Sequence, residues 1–96
     1  MLQGYLARNS ETAWRVYDGE AVILRAADST LNTLNAVGTL IWKSADGKTP
    51  VSAIVDLICA EFDVEPAQAE RDSTAFIEAL CQRRLLTVSE SPQEAP

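Results

Sequence analysis

The sequence predicts an α+β domain, a three-stranded antiparallel sheet packed with three helices and winged-helix-like in outline. Apolar side chains alternate with a period of two through residues 14–34, in runs broken by Asp-Gly and Ala-Asp-Ser. From Asn35 onward the period lengthens to that of amphipathic helices, with Asn and Pro at the starts. Strand signals come first and helix signals follow instead of interleaving, which argues for helices packed beside an antiparallel sheet and against a parallel βαβ fold.

Each element has a local reason. Trp14-Arg15-Val16-Tyr17 and Ala21 to Ala26 flank Asp18-Gly19, whose glycine supplies the positive φ of a tight hairpin turn. Ala27-Asp28-Ser29 offers a second turn, and Thr30-Leu31-Asn32-Thr33-Leu34 is short, alternating and partly β-branched, as a third strand should be. Asn35 is a suitable N-cap for a helix over 36–45, with Val37, Leu40 and Ile41 on one face and Asp46-Gly47 as its stop. Thr49 as cap and Pro50 as first helical residue predict a second helix, whose stripe is Val51, Ile54, Val55, Ile58 and Phe62. A third is expected from Pro66 to near Arg84, burying Ala69, Ser73, Phe76, Ile77 and Leu80, before Leu85-Leu86-Thr87-Val88 returns as an extended segment. Residues 1–13 read as an N-terminal extension and 89–96 as a polar, disordered tail.

Composition removes much chemistry. With 96 residues, 47% hydrophobic and 23% charged, the chain has the makings of one small core and no cleft between domains. There is no histidine, so His-based triads and most zinc sites are excluded, and neither a cofactor nor a metal site is expected. Glu61, Asp63 and Glu65 lack the spacing of a calcium loop and read as solvated. Cys59 and Cys81 fall in apolar helical stretches and read as buried thiols. Trp14 and Trp42 read as packing residues. No apolar run is long enough for a bilayer and no charged-then-apolar leader opens the sequence, so a cytoplasmic protein without a membrane partner is expected.

Charge argues against nucleic acid. A net of −6 is opposite in sign to a phosphate-binding surface, and between Asp63 and Arg84 five acids face three arginines, where a winged-helix reader of DNA should be positive. A strand edge offers more. In a sheet of three sequential strands the third is an edge, and its unpaired N–H and C=O groups must be blunted or used.

The run Val16 to Val22, then Leu34-Asn35 with Gly38, Ile41 and Trp42, then Asp46-Gly47, Thr49 through Val55, Phe62-Asp63-Val64, and Asp72, Phe76 and Leu80 before Leu85-Leu86 resembles the PqqD family over residues 14–88. Two positions depart from that pattern: Gln82-Arg83-Arg84 stand where glycine is usual before the closing strand, and Ser73 where an apolar residue is usual. The resemblance implies a RiPP recognition element, a non-catalytic peptide chaperone that binds the leader of a ribosomally made precursor and presents it to a peptide-modifying enzyme. A radical SAM protein is such an enzyme, as in PQQ biosynthesis. It also implies that the leader is added as a strand in the groove between the third strand and the third helix. The edge residues are then Thr30, Leu31, Asn32 and Thr33. On the helix, with Phe76 at 0° and about 100° per residue, the core stripe centres near 60°, while Asp72, Ala79 and Arg83 fall between about −20° and −60° and Ala75 near −100°. That flank is small and mixed, with room for a backbone at Ala75 and Ala79, an apolar border at Phe76, and charges at Asp72 and Arg83. A homodimer pairing through the same edge, and DNA binding, are the competing expectations.

Overall fold

The computed structural model, which describes residues 3–92, begins with a short strand β1 (Tyr5–Arg8) that turns into the hairpin β2 (Thr12–Tyr17) and β3 (Glu20–Arg25). Asp18 and Gly19 both take positive φ, 51° and 78°, the turn whose twist matches antiparallel strands. β4 (Thr30–Thr33) pairs with β3 in the register Val22↔Thr33, Ile23↔Asn32, Leu24↔Leu31 and Arg25↔Thr30. The order β2-β3-β4 is the meander expected from the alternation.

Three helices follow as anticipated: α1 (Ala36–Ser44), α2 (Val51–Phe62) and α3 (Pro66–Gln82). The side chain of Asn35 accepts from the Gly38 N–H at 2.8 Å, satisfying one of the donors a helix start leaves free. Ile23 from the sheet, Ile41 and Trp42 from α1, Ile54 from α2 and Ile77 from α3 are buried in one core. Thr39 is the buried polar residue that joins sheet to helix. Its Oγ1 accepts from the Ala21 N–H at 2.8 Å, while the Ala21 carbonyl takes the Leu34 N–H, so the β3–β4 ladder closes on α1. Ser73, buried on α3, leaves its hydroxyl without a hydrogen-bond partner among the described residues.

The structure departs from the sequence reading in its second sheet. Asp46–Pro50 is not a stop and a cap but strand β5, and with β6 (Leu86–Ser89) it flanks β1 in the order β5-β1-β6. Tyr5 to Arg8 pairs with Ser89 to Leu86, so the segment before residue 14 supplies the central strand of a sheet. Pro50, extended at ψ 152°, precedes α2 instead of opening it, and Thr49 makes no side-chain cap. Asp46 explains the local shape: its carboxylate accepts from the N–H groups of Lys48 and Thr49, both at 2.9 Å. Ser89 ends β6, and the expected disorder of residues 93–96 lies outside the described residues. The two sheets are stitched by Arg8, which donates to the carbonyls of Trp42 (2.9 Å) and Lys43 (3.0 Å) and lies over the Trp14 ring at 5.2 Å. Trp14 in turn meets the fully buried Trp42 edge to face at 6.1 Å. Cys59 and Cys81 are unpaired and half-buried instead of enclosed, and burial pushes the Cys81 thiol up. No helix among the described residues is long and apolar enough to cross a membrane.

Candidate functional site

β4 is an edge on its outer side, and the register tells which groups it presents. Because the Leu34 N–H reaches the Ala21 carbonyl, pairs two residues apart repeat that orientation, so Asn32 and Thr30 direct their backbone groups at β3. Leu31 and Thr33 therefore direct theirs away. These two residues offer two N–H and two C=O groups along the free edge.

Side chains divide the other way. Thr30 and Asn32 share the face of Ile23 and Arg25, toward the helices, whereas Leu31 and Thr33 share the outer face with Leu24 and Val22. Leu31 is 64% exposed and, with Tyr17, Leu24 and Val22, borders a shallow apolar hollow on that outer face. Of the four edge residues singled out in the sequence, only Thr30 and Asn32 therefore aim their side chains at α3.

On α3 the residues Asp72, Ala75, Ala79 and Arg83 are all exposed and Phe76 is half-buried, while Ser73, Ile77 and Leu80 take the core side. This separation is the one the helical arc implied. Asp72 pairs with neither Arg71 nor Arg83: it accepts from Gln68 Nε2 at 2.8 Å, and Arg71 donates to the Gln68 carbonyl oxygen of the side chain at 2.9 Å. Phe76 rests on α1. A Cβ at Gly38 would lie 2.8 Å from its Cζ, so the ring's seat exists because residue 38 has no side chain. Asn32 and Arg83 close the far end, Arg83 Nη1 donating to Asn32 Oδ1 at 3.1 Å.

Several residues that shape this end were not singled out from sequence. Arg25 Nη1 donates to the Arg83 carbonyl at 2.9 Å, and Asn9 Nδ2 to the Arg84 carbonyl at 2.7 Å, so the two carbonyls just past α3 are held by the hairpin and by the β1–β2 turn. Arg25 also pairs with Asp28; that guanidinium, followed by the Thr30 hydroxyl and N–H, holds the Asp28 carboxyl well below the usual range. Arg84 sits at φ 60°, with the Leu85 N–H bonded back to the Leu80 carbonyl at 2.9 Å. This is a left-handed helix ending with an arginine where glycine is the relaxed choice. Together these residues border a polar cleft of about 790 Å³ between β4 and the end of α3. No group of three or more His, Cys, Asp or Glu side chains that could hold a metal ion occurs among the described residues.

A family model described as coenzyme PQQ synthesis protein D (PqqD) matches residues 20–86. The chain belongs to the PqqD family. The family match opens at β3 and closes at the first residue of β6, so it contains both walls of the groove and leaves β1 and β2 outside. Among solved structures, this PqqD-family chain is similar to TbiB1 in complex with the TbiA(beta) leader peptide. The TM-score is 0.77 at 34% identity, over 83% of this chain and 93% of that one. It shares its fold with a lasso peptide synthetase B1 complexed with the leader peptide, at TM-score 0.74 and 20% identity, over 88% of this chain and 99% of the other. No curated protein matches the sequence.

Proposed function

We propose that this PqqD-family chain is a non-catalytic carrier that holds the leader of a ribosomally made precursor peptide and presents it to a modifying enzyme. The guest is added as a fourth strand beside β4, facing α3. The observation that carries this reading is the outward edge at Leu31 and Thr33, unpaired among the described residues, beside an α3 flank of exposed Asp72, Ala75, Ala79 and Arg83 with half-buried Phe76, joined to β4 where Arg83 reaches Asn32. The leader peptide bound to TbiB1, a relative at 34% identity, supports the same ligand class.

Energetics assign the roles of backbone and side chains. Up to four edge hydrogen bonds at about 1 kcal/mol each roughly match the lower estimates for the cost of association, so they set register and direction and leave affinity to side-chain contacts. The alternation of the guest strand sends every second side chain toward α3, where Phe76 supplies apolar surface and the two alanines leave space. Four residues of β4 extend about 13 Å and the α3 stripe from Asp72 to Arg83 about 16 Å, so the site fits four or five extended residues. The partner enzyme acts on the part of the precursor that lies beyond the groove; a radical SAM maturase, as in PQQ biosynthesis, is one enzyme of this kind.

The test is a titration of the ¹⁵N-labelled protein with synthetic leaders of short precursors encoded beside its gene. Amide shifts should cluster in residues 30–33 and 72–83. Binding that shifts the outer face or β1-β5-β6 instead, or no binding by any leader, counts against the proposal. Concentration-dependent sedimentation with the same edge protected would assign β4 to a second copy of the chain.

A further inference from the structure

This chain carries eight Lys and Arg against fourteen Asp and Glu, yet three of those cations, Arg25, Arg83 and Arg84, line the cleft where β4 meets the end of α3. The acids lining it are Glu11 and Asp28, so the cleft holds a formal surplus of positive charge in a protein whose net is −6. Asp28 is already committed to Arg25. Arg83 touches a neutral acceptor, Asn32 Oδ1, and neither Arg83 nor Arg84 has a carboxylate partner among the described residues. The nearby backbone carbonyls do not consume these two side chains either: those of Arg83 and Arg84 take Arg25 and Asn9, and those of Ala79, Leu80 and Cys81 take backbone N–H groups.

We infer that this end of the groove receives a carboxylate from the guest, so that the peptides selected are acidic at the position beside Thr30 and Asn32. The inference rests on the strand-addition reading above and adds the chemistry of one guest side chain. Its physical logic is local reversal of sign. An acidic peptide approaching a −6 protein meets a net repulsion that the three arginines offset locally, which favours entry of its acidic end into the cleft. Neutral amides flank the cations: Asn32 is in contact with Arg83, and Gln82 lines the same wall, so a carboxylate would meet donors with Glu11, and Asp28 already paired to Arg25, as the acids of the cleft.

The probe is a dodecapeptide library, acetylated and amidated at its ends, in three matched sets with Glu, Gln or Lys at one position, scanned along the peptide and read by fluorescence anisotropy. At one register the Glu set should bind about fivefold more tightly than the Gln set, a preference expected for an exposed charge pair, and it should fade as salt is raised. Arg84→Glu should invert the order, favouring the Lys set at that register. Lys48→Gln, at the exposed position of β5, lowers the net charge without touching the cleft and should keep the Glu preference, which separates a local site from overall charge. A library in which sets bind equally at every register, or in which Arg84→Glu leaves the order unchanged, overturns this inference alone. A library in which no set binds overturns the strand-addition reading and this inference with it.

Discussion

The contact between Phe76 and Gly38 sets the wall of the groove, and it can be measured. Replacing Gly38 with alanine places a methyl carbon 2.8 Å from Cζ and 2.9 Å from Cε1 of Phe76, and 3.3 Å from Oδ1 of Asn35. Non-bonded carbons prefer about 3.5–4.0 Å, so the ring must withdraw by roughly 0.7–1.2 Å or α1 must shift. Helix propensity alone favours alanine over glycine by about 1 kcal/mol. Overpacking opposes it by about 1–3 kcal/mol, and because the half-buried ring can yield, the low half of that range applies. Gly38→Ala should therefore destabilise the protein by about 0.5 kcal/mol, whereas in a Phe76→Ala background the same change should stabilise it by about 1 kcal/mol, a coupling of roughly 1.5 kcal/mol. Urea unfolding of the four proteins, followed by circular dichroism, measures that coupling. If Gly38→Ala has the same effect in both backgrounds to within about 0.3 kcal/mol, the ring does not press on residue 38 and the account of the wall is wrong.

Arg84→Gly should relax the left-handed helix ending and raise stability by about 0.5–1 kcal/mol in thermal or urea unfolding, while lowering affinity for an acidic peptide; a loss of stability would refute the helix-end assignment. Leu31→Pro removes an outward N–H from an edge strand, so the fold should persist with a cost near 1 kcal/mol or less while leader affinity falls by at least about fivefold; unchanged affinity would refute strand addition at this edge. Asp46 has its carboxyl held below the ordinary 3.8 by the Lys48 and Thr49 N–H groups. Since its folded pKa is depressed, its contribution is present above the unfolded pKa and is lost as pH falls through the folded one. Asp46→Asn should thus flatten the stability profile below about pH 4, and a difference from the parent that is constant between about pH 2 and about pH 5 would contradict it.

Residue types alone determined the meander, the three helices and the stripe on α3, because each depends on neighbours a few positions away. Alternation on either side of Asp18-Gly19, Asn35 as cap, and the burial of Ile77 and Leu80 against the exposure of Ala75 and Ala79 follow from periods of two and 3.6. Tertiary structure decided the second sheet. Asp46-Gly47-Lys48-Thr49-Pro50 has the composition of a loop and becomes a strand because Tyr5 to Arg8 lies beside it, a pairing across some forty residues that no local pattern encodes. The same holds for the basic cleft: Asn9, Arg25, Arg83 and Arg84 are scattered along the chain and meet where the β1–β2 turn and the hairpin grip the end of α3. Propensity is a property of short stretches, whereas a binding surface is made by the distant contacts that chain folding brings together.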